Sequence, residues 1–550
     1  MLETTGVRVN LDDIRPEGPK SIRAFNGNNR EIDLFDIRNF RLNTATSTYR
    51  DHRDDTFGGE LNVRRNLKLF EVPLALQTGG SIKSQDRDHR MFTRVRTYNP
   101  TNPADPTPAP FLMQVYKNRQ NYFDYDYIPW VSASRAVEAW GKNPALFTQT
   151  AAQQVTEEQT RITGSQGLTE TTSALYAQAE ARLFHNRLTM LTGVRYEKVH
   201  DVGAGPLFEP GNAFVRTATG AYARNAAGQR IRRPEAGAAG SMEELRLTRK
   251  ERGNHVDRTD QGYYPSLHLN FNATERLLFR AAYAKTYGPP DFNNLIPNAT
   301  ISESDVLETA DPSVVRGTIT VTNPGLKPWT ADNYDLSAEY YTDTGGLFSA
   351  GVFRKEIKNF FGTRVALAAA ADLEELGLDP RYVGWQLTTT LNVGDARVTG
   401  GEFNIRQSLS PLGAWGRYFS VFANATKLKL EGSSMASFTK FMPENVNWGA
   451  TFTKNPVTIM LKWNDRGEQK NTAIPALAAD AFQYQEKRTT MDLNATYQIK
   501  RWLSLFANGR NIFNVHYNLL RYGAQTPGYA KRSSTNSYGV QWAFGVKGTF

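Results

Sequence analysis

The C-terminal segment alternates strictly. Tyr538, Val540, Trp542, Phe544, Val546, Gly548 and Phe550 are interleaved with Gly539, Gln541, Ala543, Gly545, Lys547 and Thr549. Successive side chains of an extended strand point to opposite faces, so this segment has one apolar or aromatic face and one small or polar face. The pattern recurs upstream. Met491, Leu493, Ala495, Tyr497 and Ile499 alternate with Asp492, Asn494, Thr496, Gln498 and Lys500. Leu267, Leu269 and Phe271 alternate with Ser266, His268, Asn270 and Asn272, and Phe279, Ala281 and Tyr283 with Arg280, Ala282 and Ala284. Tyr334, Leu336, Ala338 and Tyr340 oppose Asp335, Ser337 and Glu339, and Leu188, Met190, Val194 and Tyr196 oppose Thr189, Arg195 and Glu197. Such a chain is all-β.

The separators come in two sizes that take turns along the chain. Short turns are read at Phe184-His185-Asn186-Arg187, Ala273-Thr274-Glu275-Arg276, Asp343-Thr344-Gly345-Gly346, Lys454-Asn455-Pro456 and Gln498-Ile499-Lys500-Arg501. Long polar stretches lie near 99–168, 200–260, 288–331, 358–396, 431–444 and 464–482. A soluble sandwich has no reason to alternate in this way. A membrane barrel does, with short periplasmic turns and long extracellular loops. At ~10 residues per crossing, the expectation is a transmembrane antiparallel β-barrel of about 16–18 strands occupying residues 1–550 as one domain. Phe550 falls on the short-turn side, and the strands before residue 55 are poorly marked. Tyr196, Tyr287, Trp502, Tyr538 and Trp542 suit aromatic girdles at the headgroup level.

Composition agrees once period two is allowed for. Mean hydropathy is −0.52 with 40% hydrophobic residues, because only every second strand residue meets lipid. A membrane-spanning helix needs ~20 mostly apolar residues. The nearest stretch, 365–371, is short and runs into acidic residues. The absence of cysteine excludes disulfides, thiolate metal sites and a thiol nucleophile.

Motifs of catalysis (HExxH, GxSxG, a P-loop) are missing, so the chain is read as no enzyme and as needing no cofactor. His52 and His89 lie near Asp51, Asp54, Asp55, Asp86 and Asp88, but ordinary polar charge is preferred to a metal site. Asn-Ala-Thr occurs at Asn272, Asn298, Asn424 and Asn494, read as polar-face pairs rather than glycosylation sites. The net charge is +10, yet the basic residues are scattered, which argues against nucleic acid.

Two loop features are candidate ligand contacts. Arginines crowd the 200–260 stretch: Arg216, Arg224, Arg230, Arg232, Arg233, Arg246, Arg249, Arg252 and Arg258. They suit an anionic ligand or lipopolysaccharide phosphates. A solvated loop, partly neutralised by Glu235, Glu243, Glu244, Glu251 and Asp257, is the plainer reading. Tyr122, Phe123, Tyr125, Tyr127 and Trp130, interleaved with Asp124 and Asp126, suit stacking on a sugar or flat ligand, or packing of the loop on itself.

Several strings resemble those of TonB-dependent outer-membrane receptors. Asn323-Pro324-Gly325-Leu326-Lys327-Pro328-Trp329, with Asn333-Tyr334-Asp335-Leu336 and Glu339-Tyr340-Tyr341, resembles the family's "NPxLKPExSxNYExGxEYY" segment. Val352-Phe353-Arg354-Lys355-Glu356-Ile357-Lys358-Asn359-Phe360 resembles the next strand. Upstream, Tyr264-Pro265-Ser266-Leu267 and the stretch from Leu278 through Arg280 and Tyr283 to Pro290 resemble its "YPSLxxxY…LRAxYSKTxxRP" region, and Arg510-Asn511-Ile512-Phe513-Asn514 resembles its late "xNLFN" turn. Phe544, Val546 and Phe550 match the terminal outer-membrane assembly signal. The resemblance covers about 170–550 and, loosely, 30–100. Trp329 stands where the family usually has Glu, and Gly288 interrupts the usual "TxxRP".

The resemblance implies a 22-stranded barrel holding an N-terminal plug, preceded by a signal peptide and a TonB-contacting box. Residues 1–20 have neither a basic nor an apolar signal region. The chain is therefore expected to be the C-terminal barrel portion, without its plug. The implied function is active outer-membrane uptake of a nutrient such as a ferric siderophore, cobalamin or an oligosaccharide. The implied partners are membrane lipid and lipopolysaccharide, the TonB–ExbB–ExbD complex through the plug, the barrel-assembly machinery and a small nutrient ligand. A porin-like passive channel is the alternative.

Overall fold

A computed structural model describes residues 2–15, 18–113, 130–218, 222–227, 229–296, 299–303, 317–323, 325–375, 378, 380–432, 438–474, 477–478 and 480–549. The fold is dominated by one sixteen-stranded antiparallel sheet. One member, the two-residue strand Phe147–Thr148, only extends an edge. The others form a ladder in which each strand pairs with the next in sequence. They are β1 (Thr44–Leu69), β2 (Val72–Tyr98), β3 (Ser165–Leu183), β4 (Leu188–Phe208) and β5 (Arg249–Asn272). Next come β6 (Leu277–Gly288), β7 (Trp329–Tyr341), β8 (Leu347–Lys358), β9 (Ala396–Ser408) and β10 (Phe419–Gly432). The ladder ends with β11 (Glu444–Lys454), β12 (Val457–Arg466), β13 (Arg488–Lys500), β14 (Leu503–Arg510) and β15 (Gln541–Gly548). Helices α1 (Ala133–Lys142), α2 (Ala151–Thr163), α3 (Met242–Thr248) and α4 (Ala370–Glu375) lie between strands. No helix among the described residues is long and apolar enough to cross a membrane; the strands do the crossing.

The register carries the alternation from strand to strand. Leu61, Gly80, Leu175, Tyr196 and Tyr263 are successive cross-strand partners. So are Phe452, Ile459, Ala495, Ala507 and Phe544. These residues share the face that meets lipid, which is why Leu175 and Phe544 are exposed. On the opposite face Asn404, Asn424, Asn447 and Asn464 are successive partners. Asn447 Nδ2 donates to Asn424 Oδ1 at 2.9 Å, and Asn464 Nδ2 to Asn447 Oδ1 at 2.7 Å. A one-residue slip would exchange the two faces, so burial in lipid fixes the register.

Short and long connections alternate along β1–β15, with the contrast weakest at 409–418 and 433–443, ten and eleven residues. The links from β1 to β2, β3 to β4 and so on are short; the links from β2 to β3, β4 to β5 and so on are long. The first short link is the two-residue turn Phe70–Glu71, with φ of 48° and 68°, the left-handed pair that a tight hairpin needs. The expected all-β barrel architecture is therefore present, but the sheet does not close among the described residues. β1 and β15 each keep one unpaired edge, whereas a span in lipid requires every backbone group to be paired.

Three differences from the sequence reading have physical causes. β1 and β2 are 26 and 27 residues long, well beyond the ~10 that cross a bilayer. Their outer halves are polar on both faces and hide the period. The stretch after Arg510 is a long connection, 511–540, with strands of its own at Tyr517–Tyr522 and Arg532–Asn536. The apolar stretch 365–371 is divided between the strand Phe361–Leu367 and α4.

Candidate functional site

The long connections build a folded crown on the outer end of the sheet. Strands at Ala299–Glu303, Gly317–Val321, Gln386–Asn392 and Phe361–Leu367 form one small sheet from two different connections. Ile319, Ala368, Leu373, Leu378, Tyr382 and Trp385 are buried together beside it. The 467–487 and 511–540 connections jointly form a second, through Gln469–Ala473, Phe482–Gln485, Tyr517–Tyr522 and Arg532–Asn536. There Tyr484 stacks on Tyr522 at 4.1 Å, and Lys470 lies 3.7 Å from the Phe482 ring centre. Burial lowers the Lys470 ammonium and raises the Tyr522 phenol.

Helix α2 clamps the 99–164 connection to β2. Thr150 and Gln153 form a reciprocal capping box that starts the helix. Arg94 Nε then donates to Glu157 Oε1 at 2.7 Å, and the Thr93 N–H donates to Thr160 Oγ1 at 3.0 Å. The hydrogen bond from Arg94 holds Glu157 below the usual carboxylate range, and Arg161 does the same for Glu158.

Two hollows open in this region. A broad cleft of about 710 Å³ lies between the outer halves of β1–β3 and residues 289–296. His52, Asp54, Arg87, His89, Glu170 and Phe292 line it. Arg87 donates to Asp54 at 2.9 Å and sits 4.2 Å from the Phe292 ring centre. The His52 and His89 rings are 4.2 Å apart and tilted by 36°, and His89 Nε2 is buried with no hydrogen-bond partner among the described residues. Among the described residues no group of three or more His, Cys, Asp or Glu is placed to hold a metal ion. Charged groups, an aromatic ring and a volume in the usual ligand range make this cleft able to hold a polar nutrient-sized molecule.

The second hollow is smaller, about 150 Å³, and half-enclosed. It lies where α2, α3, the ends of β4 and β5 and residues 378–382 meet. Arg249, at the loop end of β5 and far beyond the crossing segment, is buried beside it. Desolvation lowers its guanidinium to about 10.

The sequence candidates fall in different places. Tyr122, Phe123, Tyr125 and Tyr127 lie outside the described residues, as does Phe550. Trp130 is exposed next to the bridge between Leu112 and Val131. Arg230 and Arg232 both lie against the Phe214 ring. Arg230 also reaches Glu374 at 2.6 Å, Arg232 reaches Glu244 at 3.1 Å, and Arg233 lies 3.6 Å from Glu235. The Arg230–Glu374 pair ties the 209–248 and 359–395 connections together. Phe544 and Val546 point from the lipid face of β15. The cleft at Arg87 and Phe292 was missed. Its only local signal was the charge density around His52 and His89.

A family model described as TonB dependent receptor-like, beta-barrel matches residues 5–512. No curated relative matches the chain. Among solved structures, the closed form of the ferric-catecholate import receptor Fiu from E. coli K12 aligns over 96% of this chain and 60% of its own. The identity is 13% and the TM-score 0.50. The copper transporter OprC aligns over 96% and 61%, at 13% identity and a TM-score of 0.48. The siderophore receptor PiuA from Acinetobacter baumannii aligns over 91% and 56%, at 11% identity and 0.47. The chain thus spans about three fifths of the length of these proteins.

Proposed function

The chain belongs to the TonB-dependent receptor β-barrel family of the outer membrane, and on that premise we propose that it captures a scarce nutrient at its outer crown for active uptake. The reading assigns three roles. The lipid-facing belt seats the sheet, and the end of β15, with Phe544 and Val546, serves the assembly machinery. The cleft between β1–β3 and residues 289–296 receives the ligand, with Arg87 and Phe292 as its polar and flat contacts. Energy comes from the TonB–ExbB–ExbD complex. The ligand class is a metal chelate, a cobalamin or an oligosaccharide.

The observation that carries this reading is the family match across residues 5–512. The cleft's size and mixed lining support it. The test is uptake in a deletion strain. Removing the gene is expected to abolish growth on one iron, cobalamin or carbohydrate source and leave the others unchanged. Restoring it in a strain lacking TonB is expected not to rescue growth. TonB-independent flux of many small solutes would refute active uptake.

A further inference from the structure

The structure sorts the crowded arginines by partner. Arg224 and Arg230 reach Glu374, Arg232 reaches Glu244, Arg233 reaches Glu235, Arg252 reaches Asp88 and Arg258 reaches Asp260. Arg246 is exposed. Arg249 differs from all of these. It is only 9% exposed, yet no hydrogen bond or ion pair engages its guanidinium among the described residues. Its close contact is the Phe208 ring, 3.7 Å away. A buried charge is expensive unless paired, and an aromatic face offsets only part of that cost.

The surroundings show what would pair it. Arg249 forms one wall of the 150 Å³ hollow, and Phe208, Phe214, Leu245 and Leu378 supply hydrocarbon around it. Arg232 and Glu244 also border the space, but they neutralise each other at 3.1 Å. The Gly240 N–H donates to the second Glu244 oxygen at 2.5 Å. Glu244 and Tyr382 attract Arg249 through space, but among the described residues no carboxylate bonds its guanidinium. Gln159, Ser241, Thr248 and Tyr382 complete the lining, and a volume of about 150 Å³ is enough for a benzene-sized body.

We infer that this hollow binds a small monocarboxylate with an apolar body, its carboxylate on the Arg249 guanidinium and its hydrocarbon against Phe214, Leu245 and Leu378. A phosphate or a tricarboxylate would bring more charge than Arg249 matches and leave the hydrocarbon wall unused. The hollow joins three connections, 99–164, 209–248 and 359–395, so occupancy stiffens the crown. The site does not depend on the transport reading, since it needs neither TonB nor the larger cleft.

Benzoate and its neutral isostere benzamide are the probes, titrated into the full chain in detergent by calorimetry. Benzoate is expected to bind with Kd below about 1 mM and benzamide at least about tenfold more weakly, since it lacks the charge–charge bond. Arg249→Met is expected to abolish benzoate binding, and Arg249→Lys to weaken it by about tenfold through loss of the planar fork. Equal affinity for the two probes, no benzoate binding at about 10 mM, or unchanged binding by a folded Arg249→Met chain would overturn the proposal. The probe comparison uses the unaltered protein and stands even if the methionine variant fails to fold.

Discussion

Leu461→Arg tests the assignment of faces directly. Leu461 sits midway along β12, with Ala450 and Leu493 as cross-strand partners and Ile459 and Trp463 beside it on the same face. If that face meets hydrocarbon, an arginine there costs ~2–4 kcal/mol near the bilayer midplane. That corresponds to a loss of roughly 30- to 900-fold in the folding equilibrium. Asn494→Arg is the matched control. It lies one strand away at almost the same depth, paired with Met460 and Asn508 on the opposite face. Its side chain points away from lipid, so its cost is expected to stay below about 1 kcal/mol. Denaturant titration of both variants in lipid vesicles gives the two costs, with the level of each chain in the outer membrane as a cellular check. Equal costs, or a larger cost for Asn494→Arg, would refute the register and with it the lipid-facing assignment of the whole ladder.

Three further outcomes are expected. Glu157 is held below the usual range by Arg94 of β2, and Glu158 by Arg161 within α2, so their contribution to docking and holding α2 is fully present above the unfolded carboxylate range. It is lost only as pH falls through their depressed folded values. Hydrogen exchange of α2 amides, corrected for intrinsic rates, should show protection at pH 7 that persists through the ordinary carboxylate range and is lost only at more acid pH, and Arg94→Gln should move that loss to higher pH. Arg230→Met breaks the Glu374 pair and the contact at 4.3 Å with Tyr222. Loss of ~1–2 kcal/mol locally should speed limited proteolysis within 359–395 by roughly five- to thirty-fold, with the strand ladder unaffected. Gly288→Ala should cost ~1–3 kcal/mol by overpacking against Trp329, and in denaturant titration most of that cost should vanish in the Trp329→Ala background.

The strand ladder was legible because lipid enforces the simplest pattern available to a chain. Leu267, Leu269 and Phe271 must all face one solvent, so their period shows in the sequence alone. The crown obeys no such rule. Gly317–Val321 pairs in parallel with Gln386–Asn392, and nothing near either segment names its partner. The 365–371 stretch was too short to read as a membrane segment, and nothing in it showed that Ala368 joins a small core with Ile319 and Leu378. Arg249 was one arginine in nine by sequence. Only the folded crown separates it from Arg230 and Arg232, because the distinction lies in which carboxylates come within reach, and Glu374 belongs to another connection.

Even departures from the family pattern carried structural information that the linear sequence could not pair. Trp329 in place of the usual Glu and Gly288 inside "TxxRP" are forty-one residues apart and looked like unrelated losses of resemblance. In the ladder they are direct cross-strand partners at the outer ends of β6 and β7. A Cβ added at Gly288 would overlap the Trp329 indole. The large ring covers the strand position that glycine leaves bare, a pairing known to compensate the weak packing of glycine within sheets. A Glu at 329 would leave Gly288 uncovered, and any larger residue at 288 would displace the indole. The two departures are thus a single substitution of one cross-strand contact for another. They fall where the 289–328 connection leaves the sheet. Pro289, Pro290 and Phe292, directly beyond this contact, line the cleft over Arg87, so the unusual strand pair borders the proposed ligand site.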